Sequence, residues 1–346
     1  NMLTRILSWF LSSIMLVSVF WCQQKEKKEK EGSQEAKATA EYTHAQWSKD
    51  AVIYELNTRQ FSEEGTFAAA QKHLPRLNEL GIDIIWFMPI HPISEKNKKG
   101  ELGSPYAVTD YTAVNPDYGT LDDFKAFVNE AHKKDIRVII DWVPNHTGWD
   151  SKWLENHPDW YTRDEDGNVI HPKGTDWTDV ADLNYDNQDM RNAMTDAMKF
   201  WLEEAGIDGF RCDVAGSVPT DFWDSTITEL RKVNDELFML AEAEKPELHP
   251  AGFDMSYAWG LHHIMNEVAA GNKTVAEIDA YFAKHKTRFR RQDIMMNFTT
   301  NHDENSWNGT AFERFGDGFK TFAVFAATIP GMPLLYNGQE AELKKR

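Results

Sequence analysis

From Trp47 onward, short apolar runs alternate with longer stretches of helical spacing, and this alternation limits the folds available to the chain. The runs are "AVIYELNTRQF", "IDIIWFMPI", "IRVIIDWVP", "IDGFRCDV", "LFMLAEAE", "GFDMSYAW", "IMMNFTTN" and "MPLLYNGQE". Between them, stretches such as "TFAAAQKHLPRLNELG" place Phe67, Ala70, Leu74 and Leu77 along one face, and "TLDDFKAFVNEAHKKD" and "RNAMTDAMKFWLEEAG" carry similar stripes. Strand-helix alternation calls for a parallel sheet, and eight units predict a closed (β/α)8 TIM barrel. Two inserts break the rhythm. A Lys- and Gly-rich loop follows the second strand, and a Trp-, Asp- and Pro-rich insert domain, at about 147–185, follows the third.

The 346-residue length suits one such barrel with additions, since the fold commonly occupies roughly 250 residues. A formal charge of -18 argues against nucleic acid as a partner, because phosphate binding needs a positive surface. A neutral ligand fits better. With 13 tryptophans the chain also carries many flat apolar rings, a shape that suits sugar faces, although most are expected in ordinary packing.

The first residues read as a separate object. "MLTRILSWFLSSIMLVSVFWC" has a basic start and an apolar run, ends in Cys22, and is followed by the charged "QQKEKKEKEGSQEAKA". Residues 1–22 are read as a signal peptide, 23–46 as a charged disordered linker and 47–346 as the catalytic barrel. The run resembles a bacterial lipoprotein signal with Cys22 as the lipidated residue. "SVFWC" lacks the usual small residue before the cysteine, so an ordinary secretory signal and an uncleaved anchor are the alternatives. The expectation is export, to the cell envelope, periplasm, outer surface or medium, with membrane contact only through a lipid at Cys22. Cys212 then has no mature partner and reads as a buried thiol.

In a barrel of this kind the active site lies at the carboxyl ends of the strands, so ionisable residues there matter most. The third strand ends with Asp141, Asn145 and His146, and the fourth carries Arg211 and Asp213. The fifth ends at Glu242 and Glu244, and the seventh runs into His302 and Asp303. Side chains alternate faces along a strand, so Arg211 and Asp213 point one way and Phe210, Cys212 and Val214 the other. Acidic residues at a single strand end commonly cap the next helix. Several converging on one rim repel one another, which points to a functional site.

The ordered set "DWVPNH", "GFRCDV", "FMLAEAE" and "TTNHDE" resembles the four signature regions of the alpha-amylase family of glycoside hydrolases, and "ADLNYDN" resembles a fifth. The likeness spans about residues 47–340. It implies a retaining glycosidase acting on α-glucosidic bonds in α-glucans or maltooligosaccharides by double displacement, with Asp213 as nucleophile and Glu242 as general acid. Arg211 would hold Asp213 ionised and aimed, while the pocket raises the pKa of Glu242 above that of Asp213. Glu244, on the same strand face, is the alternative acid. Asp303 would stabilise the cationic sugar in the transition state. The substrate-binding set implied by the resemblance is Tyr106, stacking under the sugar, with Asp110 close behind it, together with Arg211, His146 and His302. For either histidine alone a metal ligand or a core role is the common one, and no "HExxH" spacing supports zinc.

The resemblance also implies calcium at Asn145, with Asp179 or Asp182 as further oxygen ligands. "VAGSVP" after Asp213 lacks the Lys-His pair of many true alpha-amylases, which leaves glucan length and linkage open. The closing helix and C-terminal β-domain that the family implies are absent after "GQEAELKKR", so the chain reads as a fragment with an incompletely covered eighth strand. A catalytically silent relative that only binds carbohydrate or a partner is the competing reading, and the presence of all three carboxylates weighs against it.

Overall fold

In the computed structural model the described residues are 44–346. The leader reading of residues 1–22, Cys22 itself and the linker as far as residue 43 lie outside the described residues. The folded unit begins at His44, three residues before the boundary expected at 47. His44 Nδ1 lies 2.8 Å from Asp254 Oδ1, and Ala45 is buried, so the last three residues of the expected linker belong to the folded unit.

Eight parallel strands close the barrel: β1 (Ile53–Leu56), β2 (Ile84–Phe87), β3 (Arg137–Trp142), β6 (Gly209–Cys212), β7 (Phe238–Ala241), β8 (Met255–Tyr257), β9 (Ile294–Asn297) and β10 (Met332–Tyr336). Each of the eight predicted runs supplies one of them. β4 (His146–Gly148) and β5 (Val180–Asp182) form a separate antiparallel pair in the insert after β3, with a short helix, Lys152–Asn156, between them. Buried Trp160 and Tyr161 join the insert to the apolar layer outside the barrel.

Alternation along each strand divides the core into two shells. Ile53, Ile84, Trp86, Ile139, Phe238, Leu240, Met255 and Leu334 fill the barrel interior. Tyr54, Ile85, Phe87, Ile140, Trp142, Phe210, Cys212 and Met239 face outward into the layer shared with the helices. Phe124 and Phe127, on the helix Leu121–His132, seal against Phe87 with ring centroids 5.6 and 4.8 Å away. Truncating such a residue to Ala would cost about 3–5 kcal/mol. Gly209 begins β6 where a Cβ would lie 1.8 Å from the Phe238 carbonyl oxygen, so only glycine lets these strands approach.

The stripe from Phe67 to Leu77 folds as two helices, Phe67–Gln71 and Leu74–Glu79. Pro75 explains the break, since its ring would clash with the carbonyl four residues back and it has no N–H to donate. All four stripe residues are still buried.

Candidate active site

Above the apolar interior, the next inward-facing positions change character. Register pairs Glu55 on β1 with Trp86 on β2, and Asp141 on β3 with Arg211 on β6. All four are buried inside the barrel, directly beneath its carboxyl-end rim.

Arg211 is the hub. One terminal nitrogen donates to Asp141 Oδ1 at 2.8 Å and to Asp213 Oδ1 at 2.9 Å, and the other lies 2.9 Å from Glu242 Oε2. Its Nε donates to the Tyr257 hydroxyl at 3.2 Å, and the guanidinium carbon sits 5.0 Å from the Trp86 ring centroid. A fully buried guanidinium is held by this combination of three carboxylates and aromatic faces. Arg211 has no exposed surface and does not line the cavity, so the structure places it behind the cavity wall and not, as the substrate-binding expectation had it, on that wall.

Above this layer opens a cavity of about 760 Å³, lined by Asp213, Glu242, Asp303, Tyr106, His146 and His302 among others. Burial pushes Glu242 up to about 7, with Arg211 opposing and Asp213 and Asp303 adding to the rise. Asp213 rises to about 6, first through burial, against Arg211 and with Asp141 and Asp303 reinforcing. Arg211 therefore does not hold Asp213 in the ordinary carboxylate range, because burial outweighs its attraction and Asp141 and Asp303 add to the rise. Both carboxyls are therefore raised by burial in one shared environment. Asp141 is likewise raised to about 6 by burial, opposed by Arg211 and His302.

Directly after Asp213, Val214 adopts φ 37° and ψ 41°, a left-handed conformation that β-branched residues rarely enter. This turn aims the Val214 N–H at Glu242 Oε2, 2.7 Å away. Glu244 is placed differently. Its Oε2 accepts from the Gly260 N–H at 2.6 Å and its Oε1 from the Tyr281 hydroxyl at 3.3 Å, so it anchors the helix Trp259–Ala269 and does not line the cavity. Glu304, beside Asp303, is also turned away, 3.1 Å from His262 Nε2.

Tyr106 donates its hydroxyl to Asp141 Oδ2 at 3.0 Å, and the same oxygen is 2.7 Å from His302 Nε2. The Tyr106 and His302 rings stack at 5.4 Å. His302 Nδ1 meets the Glu55 carboxylate. Burial alone would lower the His302 pKa, but Glu55 and then Asp303 outweigh it and leave it at about 9. His146 has no such partner, and burial lowers it to about 4, so it is neutral at physiological pH. Asp110 lies outside the cavity lining. It accepts from Lys152 Nζ and Thr112, pinning its loop to the insert. The expectation that it binds substrate is corrected accordingly.

The resemblance implies calcium at Asn145, with Asp179 or Asp182 beside it. Asn145 Nδ2 lies 3.2 Å from His146 Nδ1, and Asp179 is ion-paired with the Lys99 ammonium at 3.5 Å, where a metal ligand would need a cation. Among the described residues no three His, Cys, Asp or Glu side chains form a group that could hold a metal ion. As arranged here, a calcium cage using Asn145 and Asp179 would need the Lys99 ammonium displaced from Asp179.

Sequence reasoning passed over Glu55, Trp86 and Tyr257. The signal for Glu55 was present in "VIYEL", where it shares a strand face with Ile53, the same parity argument that exposed Arg211. On the rim, Trp177 of the insert packs edge-on to His146 at 5.6 Å, and Trp307, 78% exposed, follows β9. Both line the cavity, from loops that follow opposite barrel strands, β3 and β9.

The family model for the alpha amylase catalytic domain matches residues 38–345. An alpha-amylase of Haloarcula japonica is 30% identical over 314 residues, covering 86% of this chain and 45% of that protein. An alpha-1,4-glucan:maltose-1-phosphate maltosyltransferase of Mycolicibacterium smegmatis is 32% identical over 218 residues, 56% of this chain and 31% of that protein. The chain thus spans less than half the length of either relative. The crystal structure of a noncanonic maltogenic alpha-amylase from Thermotoga neapolitana matches with a TM-score of 0.80 at 35% identity, covering 86% of this chain and 70% of that one. Matched over nearly all of its folded length, the chain belongs to the alpha-amylase family.

Proposed function

We propose that this protein cleaves α-glucosidic bonds in α-glucans or maltooligosaccharides with retention of configuration. The observation that carries this reading is the pairing of Asp213 and Glu242 on one buried guanidinium at the cavity wall, both carboxyls raised by burial. Two carboxyls with separated pKa values supply a nucleophile and an acid from one environment.

In this reading Asp213 attacks the anomeric carbon while Glu242 gives its proton to the departing glycosidic oxygen. The glycosyl ester on Asp213 is then displaced by water, whose proton goes to Glu242, restoring both groups. Asp303 accepts hydrogen bonds from sugar hydroxyls and offsets the positive ring of the transition state. Tyr106 offers its ring to the sugar, and His146 and His302 face the same volume. Trp177 and Trp307 give the cleft an aromatic surface on either side, suited to an oligosaccharide longer than one unit.

Similarity to an alpha-amylase supports the glucan class, and similarity to a maltosyltransferase supports a second outcome, transfer. The same ester intermediate would then be resolved by a sugar hydroxyl in place of water. Incubating the chain with maltoheptaose, pullulan and cyclodextrin separates the possibilities. New reducing ends appearing first as the α anomer by NMR support hydrolysis, and products longer than the substrate support transfer. No product from any of the three would favour the silent, carbohydrate-binding alternative.

A further inference from the structure

A buried chain of four polar groups runs from β3 to β1 behind the sugar cavity, and its donors and acceptors can be counted. Ionised Asp141 can only accept, and its Oδ2 takes the Tyr106 hydroxyl proton at 3.0 Å and the Trp86 Nε1–H at 3.3 Å. The Tyr106 oxygen has no second proton, so the 2.7 Å contact to His302 Nε2 needs that nitrogen to donate. At the far side an ionised Glu55 can likewise only accept, in which case His302 Nδ1 donates as well. Both ring nitrogens then carry protons.

We propose that Glu55 is a positioning residue that keeps His302 a doubly protonated imidazolium, so that Nε2–H always donates to Tyr106 and the Tyr106 proton stays committed to Asp141. Glu55 is fully buried, and its second oxygen, Oε2, has no hydrogen-bond partner among the described residues. A carboxyl left in that state is costly unless a nearby cation compensates it, and His302 is the cation in contact. Other groups facing His302 are Asp303 on its own loop, Asp141 from β3, Tyr106 and the opposing Arg211 from β6, with Trp86 edge-on from β2. From β10, Tyr336 couples to Glu55. The balance favours the charged ring, in agreement with a His302 pKa raised to about 9.

If the ring were neutral, its single proton could sit on either nitrogen. With the proton on Nδ1, Tyr106 would turn its hydroxyl to Nε2 and leave Asp141 Oδ2 with only the longer Trp86 contact. Asp141 would then bind its own proton more readily and loosen its share of Arg211, the cation that also aims Asp213 and Glu242. Glu55 thus acts on the reaction through His302, Tyr106 and Asp141. The catalytic consequence rests on the glucan-cleaving reading above, whereas the protonation state does not.

The test uses the full chain and two substitutions. Glu55→Gln keeps the shape but removes the charge, and its amide can either donate or accept. Glu55→Asp keeps the charge. With ¹⁵N-histidine labelling, and His302→Gln to assign the signal, His302 should show both nitrogens protonated at pH 8 in the parent and in Glu55→Asp. In Glu55→Gln it should be neutral, titrating near the ordinary histidine value of about 6.5. Turnover of an activated aryl α-maltoside, which needs little proton donation from Glu242, should show a pH 8 to pH 6 rate ratio about tenfold lower in Glu55→Gln than in the parent. Glu55→Asp should restore the parent ratio. A neutral His302 in the parent at pH 8, or an imidazolium persisting in Glu55→Gln, overturns the proposal. So does an unchanged rate ratio in a Glu55→Gln protein whose His302 is neutral. A parent without any turnover would instead sink the glucan reading, and the NMR comparison would still decide the role of Glu55.

Discussion

The backbone N–H of Val214 donates to Glu242 Oε2 at 2.7 Å from a left-handed conformation, so the residue after Asp213 directs the other proposed catalytic carboxylate. A β-branched residue held there stores about 1–3 kcal/mol of strain. Glycine would release it, at a backbone entropy cost of roughly 1 kcal/mol. Val214→Gly should therefore melt at or above the parent temperature by circular dichroism and keep the N–H contact. A clear drop in melting temperature would show that the Val214 side chain, and not its backbone, matters there.

Asp213→Asn removes the proposed nucleophile while leaving an amide that can still accept from Arg211. Turnover should fall by about three orders of magnitude or more, with the melting curve still cooperative. In the parent, activity needs Asp213 ionised and Glu242 protonated. The rate should thus rise as pH climbs through about 6 and fall as it passes about 7, a narrow bell in kcat/KM for unactivated maltooligosaccharides. A flat profile between pH 5 and 8 would contradict this assignment.

Glu242 and Glu244 separate by substrate. Loss of the general acid should slow natural oligosaccharides by about 10²–10⁴-fold and activated aryl glycosides far less, and Glu242→Gln is expected to behave this way. Glu244→Gln should instead lower stability by about 1–3 kcal/mol in urea unfolding, because the Gly260 N–H loses a charged acceptor. If the leaving-group effect follows Glu244, the acid has been misassigned.

Metal removal offers a further check. With Lys99 on Asp179 in the region where calcium was expected, EDTA should leave the melting temperature within about 2 °C of the untreated protein, roughly the shift of a 1 kcal/mol change in a chain this size. A larger loss restored by added calcium would show that oxygen ligands assemble where Lys99 now lies.

Much of this was legible in advance because it depends on local periodicity. Each of the eight strand runs became a barrel strand, and parity along "GFRCDV" put Arg211 on the opposite face from Phe210 and Cys212, with the fold turning the Arg211 face into the barrel. The helix break was also available, since Pro75 stands in the stripe, but the apolar spacing masked it. Asp110 misled because an acidic residue in a loop near a site carries no mark of which neighbour will claim it, and Lys152 is 42 positions away.

By itself, the sequence determined the barrel, the strand faces and the set of carboxylates, because alternation and helical spacing are properties of neighbouring residues. Only the tertiary structure decided how those groups share charge. Arg211 answers to Asp141, Asp213 and Glu242 at once, and His302 is charged by Glu55, a residue 247 positions away. Protonation depends on burial and on charges brought together through space, and neither is written in the spacing of residues along a chain.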